Sequence, residues 1–247
     1  MLVRMKLSPL LGLPCLVVLL CGSATAQGET SAFKKAKAAF EKADRALNEA
    51  WAAIKQSLSE SEVNRLRENQ RSWLEYRDHL ASSTTYTGAP ADAELTPDSP
   101  DYLQAAAALT EERTEWLRGW TRQWQDETLT GVWSDSHGGH LEVVEAEGRL
   151  FFTLYVARGH SIHTGDLAGI AVWNAPIGWF SDKQQAPAKN EETNLAFIRR
   201  GRELEIVGAN TQEYHGARAY FDGHYLKVAE LTAEKRDAVI RSAKEKP

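Results

Sequence analysis

Cysteine is nearly absent from this chain: there are two in 247 residues, Cys15 and Cys21. Both lie in an N-terminal segment that reads as a removable leader, so the mature chain contains no thiol. That excludes disulfides, thiolate metal sites and cysteine nucleophiles for the mature protein. Long apolar runs are lacking too. Leu10 to Leu20 is the longest stretch of this kind, shorter than the roughly 20 residues a membrane span needs. With Arg4 and Lys6 ahead of it and Ala24-Thr25-Ala26 before Gln27, the stretch reads as the core of a secretory signal peptide over residues 1–26. Leu20 stands where a lipoprotein signal prefers a small residue, so anchoring through Cys21 is the alternative to cleavage after Ala26. The expected location is periplasmic or secreted.

A basic excess is also missing. The chain has 29 Lys+Arg against 34 Asp+Glu, a net charge of −5. Loss of Arg4 and Lys6 with the leader makes the mature chain more acidic still. Nucleic acid, which needs basic stripes to displace counterions, is excluded as a partner. A basic protein would suit this charge. Catalytic signatures are lacking as well: there is no H-E-x-x-H, no G-x-S-x-G elbow and no glycine-rich loop opening a helix. Ser161, Ser181, His163, His215 and Asp222 are the residue types of a hydrolase triad without its motif. The pairs Glu145/Glu147 and Glu203/Glu205 sit two apart on expected strands, which places each pair on one solvated face. The chain reads as a non-enzyme.

The residues that are present divide the chain in two. From Ser31 to Gln125 the periodicity is helical. Phe33, Ala36, Phe40, Ala43, Leu47, Trp51, Ile54 and Leu58 form one stripe of an amphipathic helix. Ser59 and Glu62 have capping-box spacing and start a second helix, with a stripe of Val63, Leu66, Gln70, Trp73 and Arg77. Residues 82–99 are rich in Ser, Thr, Gly, Pro and Asp and read as a loop. Ser99-Pro100 starts a third helix, lined by Tyr102, Leu109, Trp116, Trp120 and Trp124. A three-helix bundle is the expected result. After Thr128 the period becomes two. A hairpin is expected from Leu141 to Val156, turning at Glu147-Gly148, followed by strands at 166–173, 177–181, 193–198, 203–207 and 217–228. The fold class is therefore α+β, with an antiparallel sandwich or small barrel after the helices. The divisions read as 1–26, 27–127, 128–228 and a charged helical tail at 229–247.

The densest polar–aromatic cluster is Gln70, Arg71, Trp73, Tyr76, Arg77 and Asp78. With Leu47, Trp51 and Leu66 before it, and Thr110, Arg113 and Leu117 in a T-x-x-R-x-x-x-L segment after it, this pattern resembles the N-terminal domain of LprI-type lysozyme inhibitors over about Leu47 to Trp120. The resemblance implies an exported binding protein and, as its activity, inhibition of lysozyme. One departure stands out: Ala81 occupies the place, four residues after Arg77, where the family often carries a cysteine. In the cluster itself, Trp73 and Tyr76 at helical spacing suit a bundle core, with Arg77 bridging to a carboxylate. Alternatively, Arg71, Tyr76 and Asp78 form a recognition face.

In the second half, Arg158-Gly159, His163-Thr164-Gly165 and the run Tyr214 to Gly223 resemble a β-domain found beside such helical domains. Ala217, Ala219 and Phe221 alternate as in a half-buried strand, and Asp222-Gly223 suits a hairpin. Histidines are numerous: His137 and His140, His160 and His163, His215 and His224. Asp135, Asp166 or Asp222 could complete a metal site with them, but the spacing favours loop histidines, and neither metal nor cofactor is expected. A lysozyme inhibitor must fill a cleft holding two carboxylates. Candidates for that contact are His137-Gly-Gly-His140, and Tyr214-His215 with Arg218. The alternative is a small-ligand or glycan-binding barrel with a pocket lined by Trp133, Trp173 and Trp179.

Overall fold

The computed structural model describes residues 31–125, 127–159, 162–183 and 192–245. The proposed leader, both cysteines, His160 and Ser161 lie outside these residues. Helices α1 (Ser31–Ile54), α2 (Glu60–Ala81), α3 (Thr84–Thr87) and α4 (Pro100–Gly119) precede eight strands, and α5 (Ala233–Glu245) ends the described chain.

α2 begins as its capping box dictates. Ser59 Oγ accepts from the Glu62 amide at 3.4 Å, and the Ser59 amide donates to Glu62 Oε2 at 2.8 Å. Pro100 takes the first turn of α4, where a missing N–H costs nothing. α4 is the central helix and buries residues on all sides, because α1 and α2 pack on it from one direction and the strands from another. Ala105, Ala106 and Ala81 let the helices approach closely. The position where the family often carries cysteine is thus a fully buried alanine packed on Tyr102. Three expectations need correction. α1 ends at Ile54, although Leu58 still packs into the core from the connecting turn. The loop over 82–99 contains the short α3, capped by Ser83. α4 stops at Gly119, so Trp120 is its C-cap and Trp124 lies beyond the helix.

Strands β1 (Gly131–Ser134), β2 (Gly139–Ala146), β3 (Arg149–Arg158), β4 (His163–Asn174), β5 (Ile177–Ser181), β6 (Asn194–Arg200), β7 (Glu203–Ala209) and β8 (Gly223–Ala229) close into an antiparallel barrel in sequence order. The expected β2–β3 hairpin is present, with both Glu147 and Gly148 at positive φ, as a two-residue turn between twisted strands requires. β1, which no periodicity announced, pairs with both β2 and β8 and completes the closure. Residues 217–222 are not a strand. Ala219 and Phe221 are buried at the barrel end in irregular backbone, and Asp222 leads into β8 rather than turning a hairpin.

An eight-stranded barrel is just wide enough for its inward side chains to fill it. Leu141, Leu150, Phe152, Leu154, Phe180, Phe197 and Leu204 do so, with Phe152 in ring contact with both Phe180 and Phe197. Outside, α5 covers β2 to β4 through Val239 against Val144. The helical region covers β8. Leu226 and Val228, outward on that strand, belong to the same core as Leu47, Ile54, Leu66, Trp73, Leu109 and Trp116. No helix of the described residues is long and apolar enough to cross a membrane.

Candidate binding cleft at the helix–barrel seam

The seam between helices and barrel is organised by two buried arginines. Arg113, on α4, is fully buried. Its Nε donates to Gln70 Oε1 at 2.9 Å and its Nη2 to Asn69 Oδ1 at 2.7 Å, both on α2. Its guanidinium lies 4.1 Å from the Trp116 ring centroid and 5.4 Å from that of Trp73. Nη1 has no hydrogen-bond partner among the described residues. Amides and ring faces solvate this charge without a carboxylate, and burial lowers its pKa to about 9.

Arg158, at the end of β3, has the opposite environment. Its Nη1 lies 2.6 Å from Asp135 Oδ2 and donates to the His137 carbonyl at 2.6 Å. Its guanidinium stacks 4.6 Å from the Tyr220 ring. Burial opposes the charged form, but the Asp135 carboxylate more than offsets this, and the pKa is raised. Asp135 also shapes the β1–β2 turn: its Oδ1 accepts from the amides of His137 at 2.8 Å and Gly139 at 2.7 Å. Gly138, at φ +89°, lies so close to the Ala157 carbonyl and the Tyr76 hydroxyl that no side chain fits there.

The turn meets the helices through His137, whose ring centroid is 5.3 Å from that of Tyr76. Burial lowers the His137 pKa, and the charges of Arg113 and Arg158 act in the same direction against Asp135. Nearby, Trp116 Nε1 donates to the Ser134 carbonyl at 2.9 Å. Above this seam lies a cleft of about 680 Å³. Tyr76, Leu80, Tyr86, Leu109 and Glu112 line its helical wall, and Gly138, His140, Tyr155 and Ala157 its barrel wall.

The structure separates the residues expected to bind. Tyr76, His137 and His140 come together at the seam, Tyr76 and His140 in the cleft wall and His137 against Tyr76. Trp73 is buried in the helical core, and Arg77 lies over Phe40 and Trp73 while pairing with Asp78 at 2.7 Å. Asp78 in turn accepts from Tyr102 Oη at 3.0 Å, so this part of the cluster braces α1, α2 and α4. Arg71 is exposed on α2.

His163, Tyr214 and His215 gather elsewhere, at one end of the barrel. Gly165 bridges to His215, and Tyr214 Oη donates to Asp182 Oδ2 at 3.1 Å. His215 contacts Thr211 at 2.9 Å and packs edge-on against Phe221. Arg218 is exposed beside them. Among the described residues no three His, Asp or Glu groups are placed to hold a metal. The tryptophan pocket needs correction: Trp133 and Trp173 belong to the barrel core, whereas Trp179 points outward and is 54% exposed. The three line no common space, because Trp133 and Trp173 face the barrel interior while Trp179, paired with the exposed Val172, faces out.

Sequence reasoning missed Glu112, Tyr86 and Tyr155 as cleft residues, and Asp135 as the carboxylate that shapes the turn. One signal was available: Leu109, Glu112, Arg113 and Trp116 are neighbours at helical spacing, which puts charges beside an apolar stripe.

The fold is thus a helical region with a buried arginine, packed onto a closed eight-stranded antiparallel β-barrel. Residues 21–117 match the family described as lysozyme inhibitor LprI, so this part of the chain is an LprI domain, followed by the eight-stranded barrel. That family is one of envelope lysozyme inhibitors rather than enzymes. Thr110, Arg113 and Leu117, three residues of the resemblance, are all buried in α4, which explains the match as a packing signature. No curated protein matches the chain, and no solved structure does.

Proposed function

We propose that this is an exported bacterial envelope protein that inhibits lysozyme by binding it. The match of residues 21–117 to the LprI inhibitors carries this reading. The chain's net charge of −5 supports it, because an acidic inhibitor is drawn toward a basic enzyme. The contact would be made on the seam side, by His140, Tyr76 and the turn carrying His137, since Trp73, Arg77 and Asp78 are occupied in holding the helices together. The reading is of a binder without catalytic activity, working with helices and barrel as one unit because they share a core at Leu226.

The test is cell-wall lysis by a chicken-type lysozyme with the purified protein added at two salt concentrations. Inhibition near one equivalent, weakening as salt rises, is the expected result. Undiminished lysis at a large molar excess would reject the reading for that enzyme class. A ligand-binding barrel interior has no comparable support, because aromatic and leucine side chains fill it.

A further inference from the structure

The cleft at the seam contains polar groups that the fold leaves unused. Glu112 makes no hydrogen bond or ion pair within the described residues, whereas its neighbour Glu115 is held by Arg118 at 2.6 Å and Arg122 at 3.1 Å. The hydroxyls of Tyr76 and Tyr86 likewise have no partner there, although both residues are half-buried. Much of Glu112 remains open to water, yet the wall around it raises its carboxyl pKa through desolvation. A carboxylate placed against tyrosines and leucines without a cation costs stability, and such groups concentrate where a ligand completes them.

The lining also determines the charge of that ligand. Among the described residues no lysine or arginine lines the cleft, and its second carboxylate, Glu115, is already paired with Arg118 and Arg122, so an anion would meet Glu112 with nothing in the lining to offset the repulsion. Tyrosine faces attract cations, and tyrosine hydroxyls accept N–H donors. Leu80 and Leu109 offer apolar contact to a stem. At about 680 Å³ the space falls within the range of small-molecule sites, and it lies at a junction of two structural units, where such sites concentrate.

We infer that this cleft binds an organic cation, an ammonium or guanidinium group on a short aliphatic stem, with Glu112 as its counter-charge and Tyr76 and Tyr86 as its walls. The same chemistry is available from a free amine or from a lysine or arginine side chain of a bound protein. The second source rests on the inhibitor reading above; the first does not.

Titration of the protein with n-pentylammonium, n-pentanol and pentanoate, followed by amide NMR, tests the site. The ammonium is expected to saturate at one equivalent, shift Gly138, Gly139 and Glu112, and bind at least about tenfold more tightly than the other two. Glu112→Gln is expected to remove that preference, whereas Glu115→Gln, at a carboxylate already paired, leaves it intact. Equal binding of all three probes, or an unchanged ammonium preference in Glu112→Gln, would overturn the proposal. A second arm assigns the source: lysozyme binding weakened by saturating pentylammonium points to a basic side chain of the partner, and unweakened binding points to a free amine. Failure of lysozyme to bind at all would reject the inhibitor reading and leave the small-probe result standing.

Discussion

The helical region and the barrel each bury one arginine near the seam, and they stabilise it in different ways. Each arginine leaves one guanidinium nitrogen without a hydrogen-bond partner among the described residues, but Arg113 relies on two side-chain amides and two tryptophan faces. Arg158 relies on a carboxylate that is itself buried and that also holds the β1–β2 turn. The difference lies in what each would leave behind if removed. Without Arg113, the residues left are neutral amides. Without Arg158, a buried Asp135 carboxylate loses its counter-charge. A charge solvated by dipoles is therefore more replaceable than one locked in a pair, even when the dipole-solvated charge is the more deeply buried.

The comparison can be broken by measurement. Arg158→Met is expected to destabilise the protein by about 3–5 kcal/mol, the usual cost of stranding a buried charge, read from urea unfolding. Arg113→Met should cost less, about 1–3 kcal/mol, because methionine fills similar space between Trp73 and Trp116 and only Gln70 and Asn69 lose a partner. The reverse order would mean that the amide-solvated arginine is the keystone. Trp116→Phe, which removes the hydrogen bond to Ser134 and part of the buried ring that faces Arg113, should cost about 1–2 kcal/mol and leave the far-ultraviolet circular dichroism unchanged.

Two titrations sharpen the contrast at smaller scale. His137 has a folded pKa below its usual 6.5, so the unfolded chain takes up a proton that the folded protein refuses. Its contribution is fully present above pH 6.5 and is lost as pH falls below it; His137→Gln should flatten that part of the stability–pH curve. Glu112 has a raised folded pKa, so the favourable contribution exists below its usual 4.5 and disappears as pH rises through the folded value. Glu112→Gln should therefore be as stable as the parent, or more so by less than about 1 kcal/mol at pH 7, since solvent screens a group this exposed. A clear loss of stability would show that Glu112 has a structural partner.

Much of the fold was legible because it is written locally. The Ser59–Glu62 capping box, the Ser99-Pro100 start and the Glu147-Gly148 turn are short-range instructions, and the structure follows each of them. β1 was not legible: four residues are too few for a period, and its place is set by partners at both ends of the barrel. Residues 217–222 misled in the opposite way, since Ala219 and Phe221 alternate like a strand but are buried as a plug. The site was legible only in part. Tyr76 and His137 stood out separately, but their stacking depends on helices docking on a barrel, and no spacing encodes that. Glu112 was hidden because an exposed-type residue on a charged helix segment looks ordinary until its neighbours are known.

The measurement that tests the account most directly is calorimetric titration of the protein into a chicken-type lysozyme at low and high salt. A saturable one-to-one complex, weaker at high salt and weakened again by Tyr76→Ala or His140→Ala on the seam, is the predicted result. Absence of any complex at a large molar excess, or a complex indifferent to salt and to both substitutions, would contradict it.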